Sequence, residues 1–101
     1  MPLKPVVLIS LLKAHPGKQE DLFALLKLNT ETVIRTLPGW KTTRLIASDD
    51  GSGVAIYSEW ESPEAIDAMR ADPRMRAYFP RIAAFARLES MAGSAEWSIG
   101  S

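Results

Sequence analysis

From Pro5 to Ala14 the chain is almost continuously apolar and rich in β-branched residues, and at His15-Pro16-Gly17 that pattern stops and a helical period begins. A run of this kind predicts a strand buried on both faces. From Lys18 onward, Leu22, Leu25, Leu26, Val33 and Leu37 fall on one stripe of a helix, with Lys18, Glu20, Lys27, Glu31 and Arg35 off it. Pro38-Gly39 ends that helix. Trp40 to Ser48 carries the strand formers Thr42, Thr43, Leu45 and Ile46. Asp49-Asp50-Gly51-Ser52-Gly53 then reads as a hairpin loop into a further strand, Val54 to Glu61. Ser62-Pro63-Glu64 is a helix start, with a capping hydroxyl, a proline at the first helical position and an acid in the first turn. Asp72-Pro73 repeats that signal, so the helical stretch Glu64–Arg87 is expected to break there, and Pro80 predicts another kink or break. The tail Ser94–Ile99 alternates Ala95, Trp97 and Ile99 with polar residues, as a half-buried strand does.

The resulting order, β-α-β-β-α-β, predicts an α+β, ferredoxin-like fold: a four-stranded antiparallel sheet with its helices on one face. No repeat or Pro/Gly/Ser-rich linker interrupts the chain, so residues 1–101 are expected to form one domain. The other sheet face would be bare. Tyr57 and Glu59 would lie on it, because Val54, Ile56, Ser58 and Trp60 alternate toward the helices. A bare sheet face on a chain this small predicts a homodimer made by sheet-to-sheet packing.

Composition removes several classes of function. Twelve Lys and Arg balance twelve Asp and Glu, which argues against nucleic acid or an anionic membrane as partner, since both demand a basic surplus. The chain has no Cys and one His, so disulfides, a thiol nucleophile and most zinc or iron sites are excluded, and no metal is expected. His15 has no acid neighbour in sequence to suggest a hydrolytic triad. Asp50-Gly51-Ser52-Gly53 leads into a strand where a phosphate loop would lead into a helix. Lys4 followed by Val6–Leu12 has the outline of a short secretory segment, but Lys13 follows at once and no small-residue cleavage site appears. The segment reads as a strand and the protein as cytoplasmic.

The stretch Val54-Ala-Ile-Tyr-Ser-Glu-Trp60-Glu-Ser-Pro-Glu-Ala65-Ile-Asp-Ala-Met69 resembles the antibiotic biosynthesis monooxygenase family, an apolar strand ending in Trp followed by a short capped helix. Leu37-Pro38-Gly39-Trp40, Pro16-Gly17-Lys18 and Asp72-Pro73 fit the same family's landmarks, so the resemblance covers nearly the whole chain. It implies a dimeric α+β barrel with a pocket between sheet and helices in each subunit. It further implies oxygenation of phenols, anthrones or quinols by dioxygen without flavin, haem or metal. The ionised substrate can itself donate an electron to oxygen, leaving the protein to bind it, favour the anion and exclude water.

Residue by residue, the resemblance makes Trp60 a wall of the pocket. Aromatic-polyketide members carry Asn where this chain has Ile56 and Tyr where it has Ile66. Many quinol-type members carry His where it has Met69. The haem-degrading branch needs a proximal His on that helix, and none is present.

The candidate substrate-binding residues are Trp60, Ile56, Met69, Met75 and Phe79; a Trp on a covered sheet face is often only core, and Met69, Met75, Phe79 and Phe85 read first as packing between helices and sheet. Flexible thioethers suit flat ligands in either role. Asn29 lies on the apolar stripe of the first helix, so its amide must find either a neighbouring backbone group or a substrate oxygen. Asn29 and Trp60 are the best candidates for catalysis. His15 reads as a solvated loop residue, although imidazole is the side chain suited to proton transfer near neutrality. Arg74, Arg76, Arg81 and Arg87 read as a solvated helix face. Two alternatives to the oxygenase stay open: a non-catalytic dimeric module binding a small hydrophobic ligand, and an isomerase or cyclase of the same fold.

Overall fold

A computed structural model of the chain describes residues 5–100. Lys4 lies outside them. The elements are β1 (Val6–Ala14), α1 (Gln19–Thr32), a 3-10 turn (Ile34–Thr36), β2 (Trp40–Ala47), β3 (Gly53–Trp60), α2 (Pro63–Ala71), α3 (Pro73–Ala83) and β4 (Ala86–Gly93). The sheet order is β2-β3-β1-β4, with every neighbouring pair antiparallel. This is the ferredoxin-like α+β arrangement, with all helices on one face.

Local chemistry places the helix boundaries. The Ser62 hydroxyl accepts the Ala65 N–H at 3.1 Å, with Pro63 in the first turn of α2. The Asp72 carboxylate accepts the Arg74 N–H at 2.8 Å, with Pro73 in the first turn of α3. Asp72 ends one helix and caps the next, which separates two helices that the apolar pattern alone would run together. At the other end of the sheet, the Gln19 side-chain amide donates to the carbonyls of Ser48 and Gly53, both at 2.9 Å. The β2–β3 hairpin is thereby tied to the start of α1.

Several expectations need correction. β1 is covered on one face only: Leu8, Ser10 and Leu12 are buried under the helices, whereas Leu11 on the opposite face is 56% exposed. All helices lie on one side, so a continuous apolar run here marks a bare sheet face and not a second covering layer. The first helix ends at Thr32; Val33 and Leu37 are still buried, flanking the 3-10 turn on either side. α3 passes through Pro80 without a break.

The last strand is Ala86–Gly93, so Arg87 belongs to a strand and not to a helix, and Ser94–Ile99 forms no strand. β4 pairs with β1 from Ala86 opposite Ala14 to Gly93 opposite Val7, so β1 is used up before the alternating tail begins. Trp97 is consequently 78% exposed.

The interior divides into two apolar groups. Leu8, Val33, Leu37, Trp60, Ile66, Met69 and Met75 form one. Leu12, Leu22, Leu25, Leu26, Val54, Ile82 and Ala86 form the other. Tyr78, on α3, packs against both.

Candidate functional site

Antiparallel alternation puts Leu8, Ser10 and Leu12 of β1 and Ile56, Ser58 and Trp60 of β3 on the helix side of the sheet. Between them and the helices lies a cavity of about 330 Å³, at the low end of the range of about 300–1,000 Å³ for small-molecule sites. Ile56, Trp60, Asn29, Met69, Met75 and Phe79 all line it. One sheet strand and three helices thus bring together residues separated by up to half the chain.

The interior end is made by Trp60 and Asn29, 1% and 2% exposed. The Trp60 indole N–H donates to the Ser58 hydroxyl at 3.1 Å, and that hydroxyl donates to the Leu8 carbonyl at 3.3 Å. The chain of bonds satisfies the indole and fixes the ring against the sheet. The Asn29 amide donates not to a backbone carbonyl but to the Met75 thioether, at 3.4 Å. Sulfur of this kind is a weak acceptor that a ligand oxygen can displace.

The exposed members of the lining, Arg70, Phe79, Leu88 and Ser90, mark the mouth, framed by the end of α2, the middle of α3 and β4. Ser10, Thr43, Ser58, Ser90 and Arg70 are the polar lining residues that sequence reasoning missed. For Ser10 and Ser58 the signal was available: a small polar residue on the covered face of an otherwise apolar strand.

Other candidates lie elsewhere. His15 is exposed, its Nδ1 3.2 Å from the Ala84 carbonyl. Phe85 packs in the second apolar group, beneath the Lys18 ammonium at 6.0 Å from the ring centre. Ile66 is buried in the first group and is not among the cavity residues. Arg81 stacks on Tyr78 at 4.9 Å, and Arg74 is bound to Asp72 at 3.3 Å.

Tyr57 and Glu59 occupy the bare face as expected, the phenol donating to the carboxylate at 3.1 Å. Desolvation first, and the Glu59 carboxylate second, raise the Tyr57 pKa. A shallower depression of about 670 Å³ reaches this face near the hairpin, bordered by Leu11, Ile46, Lys13 and Arg87. Its charged, open walls make it the poorer pocket for a flat apolar ligand. Among the described residues no three His, Cys, Asp or Glu side chains gather as a metal site would require, and no helix is long and apolar enough to cross a membrane.

Residues 5–81 match the model of the antibiotic biosynthesis monooxygenase family. The chain belongs to that family. Over 72 residues it is 36% identical to tetracenomycin-F1 monooxygenase of Streptomyces glaucescens, a match covering 71% of this chain. The same match spans 64% of that relative's length, just under two thirds. Among solved structures, a monooxygenase of Streptomyces coelicolor in complex with nanaomycin D superposes with a TM-score of 0.85 at 23% identity, over 97% of this chain and 93% of that one. A cofactor-independent oxygenase from Streptomyces nogalater, in a mutant form, gives 0.84 at 14% identity, over 98% and 100%. At these identities the two structures establish the shared fold.

Proposed function

We propose that this chain is a cofactor-independent monooxygenase that oxidises a phenolic, anthrone or quinol-type aromatic with dioxygen inside the cavity beside Trp60. The observation that carries the reading is a largely apolar cavity in a chain of this family, with one buried amide donor, Asn29, held by a thioether. For an anthrone, loss of a proton gives a delocalised anion that transfers an electron to dioxygen. Recombination at carbon gives a peroxide anion, which takes back a proton; loss of water from the hydroperoxide leaves a carbonyl, so one oxygen atom enters the product and the other leaves as water. Asn29 would hold the substrate oxygen on which the negative charge rests. The apolar walls would strengthen that hydrogen bond by excluding water. Trp60, Ile56, Met69, Met75 and Phe79 would contact the ring system. The same reading has the protein working as one domain in the cytoplasm, as a homodimer through the bare sheet face, where Leu11 and Met91 are 56% and 66% exposed.

A second reading is favoured by one specific observation: the residues lining the cavity include no His, Asp or Glu to move a proton. A binding module for a hydrophobic aromatic would need none. Oxygen consumption by the metal-free protein against anthrones and naphthohydroquinones, corrected for autoxidation, separates the two. The oxygenase reading expects uptake that saturates with substrate, survives chelator, and falls about 10- to 100-fold in Asn29→Leu, the loss of one hydrogen bond to a charged oxygen. Ligand binding without uptake would establish the module. Conversion of substrate without uptake would point to an isomerase or cyclase.

A further inference from the structure

Arg70 is the one charged residue among the described residues lining the cavity. It follows Met69, which is buried and lines the interior, and stands exposed in the last turn of α2. The rim residues beside it, Phe79, Leu88 and Ser90, carry no charge. Four positions on, the guanidinium of Arg74 is held by Asp72 through two nitrogens at 3.3 and 3.4 Å. Arg70 has no hydrogen bond or ion pair of that kind among the described residues. The C-terminal end of α2 favours a cation in its last turn, but nothing in that preference requires the cation to border a cavity. A guanidinium presents a planar fork that matches a carboxylate with two parallel hydrogen bonds, and it is less strongly hydrated than an ammonium.

We propose that Arg70 is a specificity residue selecting aromatic ligands that carry an acidic substituent, with the rings inside the cavity and the carboxylate at its mouth. This rests on the reading of the cavity as an aromatic site and narrows it to aromatic acids. Arg70 does not touch the reacting carbon in this arrangement. It sets affinity and orientation from the rim.

The test compares 6-hydroxy-2-naphthoate with 2-naphthol, which share a ring system and differ by the carboxylate, using titration calorimetry on the full chain. The carboxylate should bind about fivefold more tightly, the upper end for an exposed ion pair, and salt should erode the advantage. Arg70→Gln should bring the ratio of the two affinities to about one, Arg70→Lys should keep part of it, and Arg76→Gln, on α3 away from the lining, should keep all of it. Equal affinities in the unaltered protein, or the same preference in Arg70→Gln, would overturn the proposal while leaving the cavity as an aromatic site. An Arg70-dependent preference without oxygen uptake would uphold it while removing the oxygenase reading. Failure of both compounds to bind would remove both.

Discussion

Gly39, just before β2, packs closely against α2, and Gly39→Ala is the substitution whose cost can be worked out most directly. The residue adopts φ +83°, and a Cβ there would lie 2.6 Å from the Ala65 Cβ. Two penalties combine. A left-handed backbone costs an L-residue about 1–2 kcal/mol, and forcing a methyl into filled space costs about 1–3 kcal/mol more. The sum, about 2–5 kcal/mol, is a large share of the stability of about 5–15 kcal/mol usual for a small domain. Gly17 supplies the control, since it adopts φ +74° with nothing within 4 Å of its added Cβ. Gly17→Ala should therefore cost only the backbone part, about 1–2 kcal/mol. Urea unfolding followed by circular dichroism measures both. Adding Ala65→Gly to Gly39→Ala should recover the steric part less the cost of glycine in a helix, about 1 kcal/mol, leaving a clear coupling between the sites. Equal costs for the two alanine variants, or no coupling with residue 65, would refute the claim that this contact seats α2. Because α2 carries Met69 and Arg70, Gly39→Ala should also weaken aromatic binding without touching the cavity.

Other expectations are more local. Ser62→Ala removes the hydroxyl that accepts the Ala65 N–H and should cost about 1 kcal/mol, or about 4–8 °C in Tm by calorimetry; no shift would mean that Pro63 alone sets the start of α2. Hydrogen bonds from the Ser52 hydroxyl and backbone, above all, lower the Asp50 pKa from 3.8 to about 2. A depressed folded value means full benefit above about pH 4 and progressive loss as pH falls toward about 2, so Asp50→Ala should lose part of the acid sensitivity in that window; an unchanged acid limb would contradict this. Leu11→Glu, on the bare face, should convert a sedimenting dimer to a folded monomer, and an unaltered protein that is monomeric at tens of micromolar would dismiss the sheet-to-sheet dimer.

The sequence made the cavity's sheet wall and its interior polar residue legible for a simple reason. Strand alternation fixed Ile56 and Trp60 on one side, and Asn29 interrupted an apolar helical stripe. β4 was not legible. Arg87, Leu88, Glu89 and Met91 are good helix formers with no turn signal before them, and they become a strand because β1 offers an unpaired edge. The alternation of Trp97 and Ile99 was real but had no strand left to pair with. Arg70 escaped notice because a cation in the last turn of a short helix is ordinary; only the three-dimensional neighbourhood sets it beside a cavity.

The cavity draws its walls from both apolar groups: Leu8, Trp60, Met69 and Met75 from one, Leu12, Leu26 and Ile82 from the other. A ligand seated there acts as the last piece of the interior, bridging halves that otherwise share Tyr78. Binding only the folded form adds about 2.7 kcal/mol when ligand exceeds its Kd a hundredfold. If the cavity takes a ligand, the chain would resist unfolding and proteolysis best while that ligand is present, and its abundance in a cell would follow the ligand's supply.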